Sequence, residues 1–175
     1  EFCRVMKERN PATRVLALTA TATKAVADDI KKNFEILDDD CVRTTFYRSN
    51  LKLDARVVTG RERDAVLLER LRSNKYPKGP TIVYATTQAT CEYLSKTLQK
   101  QGLCVQHFHA GMSTELKSKV QDDFLASKGQ HIIVATIAFG MGVDKPNVRH
   151  IIHYNMPKSM EGYAQEIGRA GRDGQ

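Results

Sequence analysis

Residues 80–108, PTIVYATTQATCEYLSKTLQKQGLCVQHF, decide the fold class. The stretch opens with a buried-strand pattern over 80–85, continues with a one-sided apolar helix over 88–101, and closes with a second strand over 103–108. Two strands joined by a crossover helix form a βαβ unit, and repeated units of this kind build parallel sheets.

The same alternation continues along most of the chain. Further helices are predicted over 61–74, 113–124 and 159–168, and further strands over 131–135 and 148–153. The predicted core-facing helix positions are Ala65, Leu68, Leu71, Cys91, Leu94, Leu98, Leu116, Val120 and Phe124. The pattern predicts an α/β fold with a parallel sheet covered by helices on both faces. Such sheets bind ligands at the carboxyl ends of their strands, so the loops there are the candidate functional segments.

The first 60 residues are less regular. A short helix is predicted over 1–9, a buried strand over Arg14–Leu18, and an amphipathic helix around 26–34. Residues 42–58 have β-forming composition, and we predict two strands there, interrupted by a crossing segment.

Composition sets loose limits on function. The 175 residues carry a net charge of +7, and 16 basic against 11 acidic residues follow Gly60. This excess favours a polyanionic partner only weakly. The four cysteines form no CxxC pair, so we expect no metal site, no disulfides and an intracellular protein. No apolar run is long enough to predict a membrane helix, so no membrane partner is expected.

The C-terminal stretch 163–175, YAQEIGRAGRDGQ, places Arg169 and Arg172 three residues apart among glycines. That spacing would point both guanidinium groups the same way. Planar, permanently charged groups near glycines suit phosphate oxygens. The alternative is a solvated basic helix end stabilised by the helix dipole.

Three predicted strand-end loops carry polar side chains. Thr86 and Thr87 could cap a helix or bind phosphate, and His109 could donate to phosphate or cap its turn. Thr136 directly follows a strand, as an anion-contacting hydroxyl would. Asp144 is a residue type common in turns, but in this loop we favour a contact with a ribose hydroxyl or with Arg172.

Parts of a complete ATP site are absent from the sequence. No GxxxxGK[ST] phosphate loop occurs, and no acidic DExH-type run follows a strand to hold magnesium. The chain therefore has residues that could sense a nucleotide without those that would bind it tightly.

Six stretches, in order, resemble motifs of the RecQ DNA helicases of superfamily 2. They are ALTATAT at 17–23 (motif III), FYRSNL at 46–51 (the interdomain crossing), TIVYATT at 81–87 (motif IV), HAGM at 109–112, VATIAFGMGVDKPNVRHIIHYNMPKS at 134–159 (motif V) and YAQEIGRAGRDG at 163–174 (motif VI). Ala164 departs from this pattern because an aromatic residue is usual there.

The resemblance implies a RecA-like fold of the P-loop NTPase type, here the second helicase domain without the P-loop itself. It places the C-terminal end of the first RecA-like domain at 1–45, the crossing segment at 46–58 and the second domain at 59–175. The start at Glu1 and the end within a motif predict a piece of a longer protein, with the last strand of the second domain missing.

The resemblance also implies an activity, namely ATP-dependent unwinding of DNA in the 3′ to 5′ direction during recombination and repair. ATP with magnesium would bind between the two domains, and single-stranded and forked DNA would be the partners, beside the rest of the first domain. The chain alone would be inactive. The protein would be nuclear in a eukaryote and cytoplasmic in a bacterium.

Residue roles follow from the same resemblance. Catalysis would use Arg172 as the arginine finger, with Arg169 and Gln165 beside it. The nucleotide would be bound by both arginines together with Asp144 and Gly142. The remaining positions are nucleic-acid contacts at Thr86, Thr87, His109, Thr136 and Lys158, and coupling residues at Thr19 and Thr21. Two alternatives remain: a non-catalytic nucleic-acid-binding helicase remnant, and an RNA helicase of the same superfamily.

Overall fold

The computed structural model describes residues 2–19, 22–43, 47–140 and 143–175. It divides into two compact units, Glu1–Arg48 and Ser49–Gln175. The division falls within the predicted crossing segment, and the assignment of the units to two helicase domains stays a prediction.

The first unit contains two helices, α1 (Phe2–Arg9) and α2 (Lys24–Phe34), and a 3-10 turn at Asp38–Asp40. Helix α2 begins where the Thr23 side chain accepts a hydrogen bond from the Val26 N–H at 3.3 Å. No residue of α2 is buried. Both predicted helices are confirmed, but α2 covers no core among the described residues.

The predicted strands of this region are wrong wherever the structure describes them. Residues Arg14–Leu18 form no strand, and Leu16 and Leu18 are 81% and 84% exposed. Residues 42–43 and 47–58 form no strand either, while 44–46 lie outside the described residues. An apolar run becomes a strand only when a neighbour pairs with its backbone. In the described chain, no strand pairs with these segments.

The second unit is built on a parallel sheet with strand order β2-β3-β1-β4. The strands are β1 (Thr81–Tyr84), β2 (Val105–Phe108), β3 (Ile132–Ala135) and β4 (His150–His153). The helices are α3 (Arg63–Arg72), α4 (Gln88–Lys100), α5 (Thr114–Ala126) and α6 (Met160–Ile167). These elements follow the predicted ones within a few residues.

Two apolar clusters cover the two faces of the sheet. Val83, in register with Val134, belongs to the cluster formed with α3 and α4. Ile82, in register with Ile133, belongs to the cluster formed with α5 around Phe124. The predicted parallel sheet with helices on both faces is confirmed.

Two predicted core positions are wrong. In α3 the core is reached by Leu67 and Leu71, one turn apart, while Ala65 is exposed. In α5 Leu116 is 54% exposed because the core-facing stripe begins one turn later, at Val120. In both cases the first helical turn precedes the part of the helix that packs on the sheet.

None of the helices in the described chain has the length and apolar character needed to cross a membrane.

Candidate functional site

The segments that follow the four parallel strands lie along one edge of the sheet, which we call the carboxyl edge. Across it, the strand order places His109 after β2, Thr136 after β3, Thr86 after β1 and Asn155 after β4. Three of the predicted nucleic-acid contacts, from distant parts of the sequence, thus share this edge.

At the carboxyl edge the two threonines have different local roles. Thr87 is the N-cap of α4, and its hydroxyl accepts a hydrogen bond from the Thr90 N–H at 3.1 Å. The Thr86 N–H instead donates to Asn155 Oδ1 at 3.2 Å. Both threonines are exposed. Sequence reasoning missed Asn155, which follows β4 as Thr86 follows β1.

His109 lies inside the fold, 5% exposed. Neither ring nitrogen makes a hydrogen bond, and Nε2 is 3.3 Å from Glu92 Oε1. The ring stacks on that of His107 with centroids 5.4 Å apart. Burial, with the neighbouring His109, lowers the pKa of His107. A surface contact of His109 with DNA would therefore require a change in its surroundings.

Thr136 and Lys158 differ in exposure. The Thr136 N–H donates to the Phe108 carbonyl at 3.2 Å, and its half-buried hydroxyl accepts from the Ala138 N–H at 3.4 Å. Lys158 lies exposed just before α6. Of these two side chains, Lys158 is the one presented to solvent.

Helix α6 carries the motif with the two arginines. Ser159 caps it by accepting a hydrogen bond from the Gly162 N–H at 3.1 Å. After the helix ends, Gly171 has a φ of 54°, and its N–H donates to the Val148 carbonyl at 2.9 Å. A side chain there would lie 2.7 Å from Asn50 Nδ2, which itself donates to the Gly171 carbonyl at 2.8 Å. Glycine is needed both for the backbone angle and for this close approach.

Arg172 extends toward solvent. Its Nη1 donates to Asp144 Oδ1 at 2.7 Å, and its Nε lies 3.5 Å from the Gly168 carbonyl oxygen. The side chains of Arg172 and Asp144 are 39% and 82% exposed. An exposed pair of this kind contributes about 0–1 kcal/mol. Asp144 thus orients the guanidinium without burying it.

Arg169 is directed into the fold. Its Nη1 donates to the Gly140 carbonyl, and its buried Nε has no hydrogen-bond partner. Gly140 has a φ of 122°, and a Cβ there would collide with the Arg169 guanidinium. Next to this contact, the Tyr84 hydroxyl donates to the Phe139 carbonyl at 3.2 Å, and burial raises the pKa of Tyr84 to about 12. Arg169 therefore joins α6 to the loop after β3.

A buried pair beneath these arginines was not predicted. His153 Nε2 lies 2.6 Å from Glu166 Oε2, and the two side chains are 13% and 10% exposed. The His153 ring stacks on Tyr84 at 5.7 Å and lies 5.2 Å from Tyr163. The pair fixes α6 to β4 and β1. No local sequence pattern signals this pair, because His153 and Glu166 lie on different elements.

Lys145, beside Asp144, was also missed. It is 5% exposed, and its Nζ donates to the carbonyls of Leu125 at 3.0 Å and Ser127 at 2.6 Å. Burial lowers the pKa of this lysine. Because α5 ends there, the cation satisfies carbonyls at a helix C-terminus and anchors the segment that carries Asp144.

Several predicted residues cannot be placed in a site. Gly142 and Thr21 lie outside the described residues. Thr19 is exposed in the first unit, and Gln165 is exposed on α6. Within the described ranges, no group of three or more His, Cys, Asp or Glu side chains is arranged to hold a metal ion.

Comparison with known proteins gives a consistent result. The model of the helicase conserved C-terminal domain matches residues 62–174. The RecQ-like DNA helicase blm-1 of Caenorhabditis elegans is 41% identical over 96% of the chain and 17% of its own length. The RecQ helicase of Bacillus subtilis is 38% identical over 97% of the chain and 28% of its own length. A putative ATP-dependent RNA helicase, R290 of Acanthamoeba polyphaga mimivirus, is 42% identical over 97% of the chain and 30% of its own length.

The fold is also found in a solved structure. Saccharomyces cerevisiae Dbp5, bound to RNA and ADP BeF3, superposes with a TM-score of 0.74 over 99% of the chain and 46% of Dbp5, at 21% identity. At this identity the likeness supports the fold alone, and it confirms the predicted RecA-like helicase fold. The chain spans less than a third of the length of each of the three curated relatives named above.

Proposed function

Because the chain belongs to the family of helicase conserved C-terminal domains, we propose that it forms half of the ATP site of a RecQ-like, ATP-dependent 3′–5′ DNA helicase. The ordered RecQ motifs and the identity with RecQ-type helicases support this proposal. The first RecA-like domain would contribute the phosphate loop and the magnesium ligands.

The exposed guanidinium of Arg172 is the observation that carries the proposal. One nitrogen is oriented by Asp144, and a guanidinium has five N–H donors, so others remain for the oxygens of a phosphate. Arg169, already bonded to the Gly140 carbonyl, is the weaker candidate for a phosphate contact. Arg172 is therefore our choice for the arginine finger, and Arg169 for a residue that positions α6.

We assign the strand-end residues to the nucleic-acid track. Thr86, Thr87 and Lys158 are exposed side chains that a phosphate backbone could reach. The half-buried hydroxyl of Thr136 would make a further contact with the same backbone. Hydroxyls and free backbone N–H groups at a helix N-terminus favour anions. The bound strand would be single-stranded DNA next to a fork, in recombination and repair, in the nucleus of a eukaryote or the cytoplasm of a bacterium.

The test is Arg172→Lys in the complete helicase that contains this chain. Lysine keeps the charge but loses the planar fork. An arginine finger contributes roughly 10³–10⁵ in rate, so we expect turnover to fall at least about a hundredfold while ATP and DNA still bind. Arg61→Lys, at an exposed arginine of the same unit, is the matched control and should leave turnover unchanged. Equal turnover in both variants would refute the role of Arg172.

Two further measurements separate the alternatives. ATP hydrolysis by the 175-residue chain alone would contradict the half-site proposal.

The mimivirus relative, named as an RNA helicase, makes RNA a specific alternative substrate. Stimulation of turnover by oligo(dT) but not by oligo(U) supports the DNA assignment, and the reverse result would replace it. No stimulation by either polymer would favour a non-catalytic binding remnant.

A further inference from the structure

The segments that enter the strands are basic. They comprise residues 73–80, 101–104, 127–131 and 145–149. These segments contain no aspartate or glutamate, and their basic residues are Lys75, Lys78, Lys128, Lys145 and Arg149. Because the strands are parallel, these segments meet at the edge opposite the carboxyl edge, which we call the amino edge. The amino edge is thus the more basic of the two. Of its segments, the proposed function involves only 145–149, because the turn that carries Arg172 bonds there through the Gly171 N–H and the Val148 carbonyl.

Three hydrogen bonds join part of this edge into one surface. Arg72 Nη2 donates to the Gln101 carbonyl at 2.7 Å, which ties the end of α3 to the end of α4. Gln130 Nε2 donates to the Leu71 carbonyl at 2.8 Å, and Lys78 Nζ donates to the Arg72 carbonyl at 3.0 Å. Five exposed cations lie on or beside these segments: Arg72, Lys75, Lys78, Lys100 and Lys128. We call them the cationic surface.

The charge of the cationic surface is not neutralised by carboxylates. In the part of the chain that the structure describes, none of its five members takes part in an ion pair within 4.0 Å. Arg72 and Lys78 donate to carbonyls, which engages some of their N–H groups and leaves their charge unneutralised. The neighbouring Arg149 differs because it pairs with Asp173, whose pKa this contact lowers to about 2.

We propose that the cationic surface binds the phosphate backbone of double-stranded DNA. Backbone binding requires clustered lysines and arginines and no access to the bases. The surface therefore holds a duplex, such as the arm of a fork, apart from the single strand assigned to the carboxyl edge. This goes beyond the proposed function, since it requires neither ATP nor the arginine finger.

The surroundings of the cationic surface disfavour two other occupants. Open aromatic rings, on which bases could stack, would favour single-stranded nucleic acid at this surface. Here Tyr76 is covered by Arg70, whose guanidinium carbon lies 3.3 Å from the ring centroid. An acidic protein partner would need buried apolar anchors at the centre of its interface. In the described chain no exposed large apolar side chain lies within residues 70–80, 98–104 or 127–131.

The test measures the binding of a labelled 20-base-pair blunt DNA duplex to the protein without ATP, by fluorescence anisotropy at several salt concentrations. The test variant combines Lys75→Gln, Lys100→Gln and Lys128→Gln, which are exposed and spare the two cations that bond to carbonyls. The matched control combines Lys52→Gln, Lys96→Gln and Lys119→Gln, which are also exposed and give the same change in net charge. Thermal melting monitored by circular dichroism verifies that both variants are folded.

We expect the test variant to bind the duplex at least about tenfold more weakly, and the salt dependence of log K to fall by about 2–3, near 0.9 for each lost phosphate contact. The control should change little. Equal losses in both variants would refute the proposal, because they would reflect net charge alone. The same assay is repeated with labelled oligo(dT) and with labelled polyglutamate. If the test variant binds the duplex normally but loses binding to oligo(dT), the surface holds a single strand and the proposal is wrong. If it instead loses only binding to polyglutamate, the surface holds an acidic protein and the proposal is also wrong.

Discussion

At the scale of single residues, two arginines that look equivalent in the sequence differ in the structure. The spacing of Arg169 and Arg172 suggested guanidinium groups that point the same way. Instead, α6 ends before them, and the left-handed angle at Gly171 turns the chain between one contact at Gly140 and another at Asp144. The residue types could be predicted to suit phosphate. Which of the two stays exposed depends on a turn that local periodicity does not encode.

Asp144 can be tested for the two roles that the sequence left open. If it orients Arg172, Asp144→Asn should lower kcat of the complete helicase up to about fivefold, with KM for ATP nearly unchanged. This range corresponds to the loss of an exposed pair worth up to about 1 kcal/mol. Should KM rise while kcat stays constant, Asp144 would instead be a ribose contact. Asp122→Asn, at an exposed position of α5, serves as the control in steady-state kinetics.

At the scale of elements, the sequence predicts best where a segment packs against its own neighbours. Helix α4 and strand β1 follow their patterns because Leu94 and Val83 meet in one core. The strand predicted at Arg14–Leu18 fails because nothing in the described chain pairs with it. Glu166 was missed for a related reason: its importance comes from His153, a contact between elements that no local pattern reveals.

The buried pair of Glu166 and His153 predicts a specific stability effect. Glu166→Ala should lower the free energy of unfolding by about 1–3 kcal/mol, because it leaves a buried imidazole without its hydrogen-bond partner. Urea denaturation of the protein measures the change. Glu161→Ala, at an exposed position in the first turn of the same helix, should cost less than about 1 kcal/mol. Similar losses in the two variants would show that His153 and Glu166 do not form the proposed link.

At the scale of the whole molecule, the two units differ in how much core they contain. The clusters around Val83 and Phe124 lie in the second unit, whereas α2 has no buried residue and Leu18 is 84% exposed. Amide exchange depends on the free energy of local opening, which is low where few apolar contacts are buried. The described structure therefore predicts a gradient of stability along the chain.

Hydrogen–deuterium exchange followed by mass spectrometry measures this gradient directly. Peptides covering Arg14–Leu18 should exchange within seconds, since no backbone hydrogen bond of a sheet protects them. Peptides covering Thr81–Tyr84 and Ile132–Ala135 should be protected for hours, because these central strands pair with neighbours on both sides and are buried throughout. Slow exchange at Arg14–Leu18 would contradict the exposed segment seen here and restore the buried strand that the sequence predicts. If that protection appeared only in the complete helicase, its partner strand would belong to the rest of the first RecA-like domain, as the domain proposal requires.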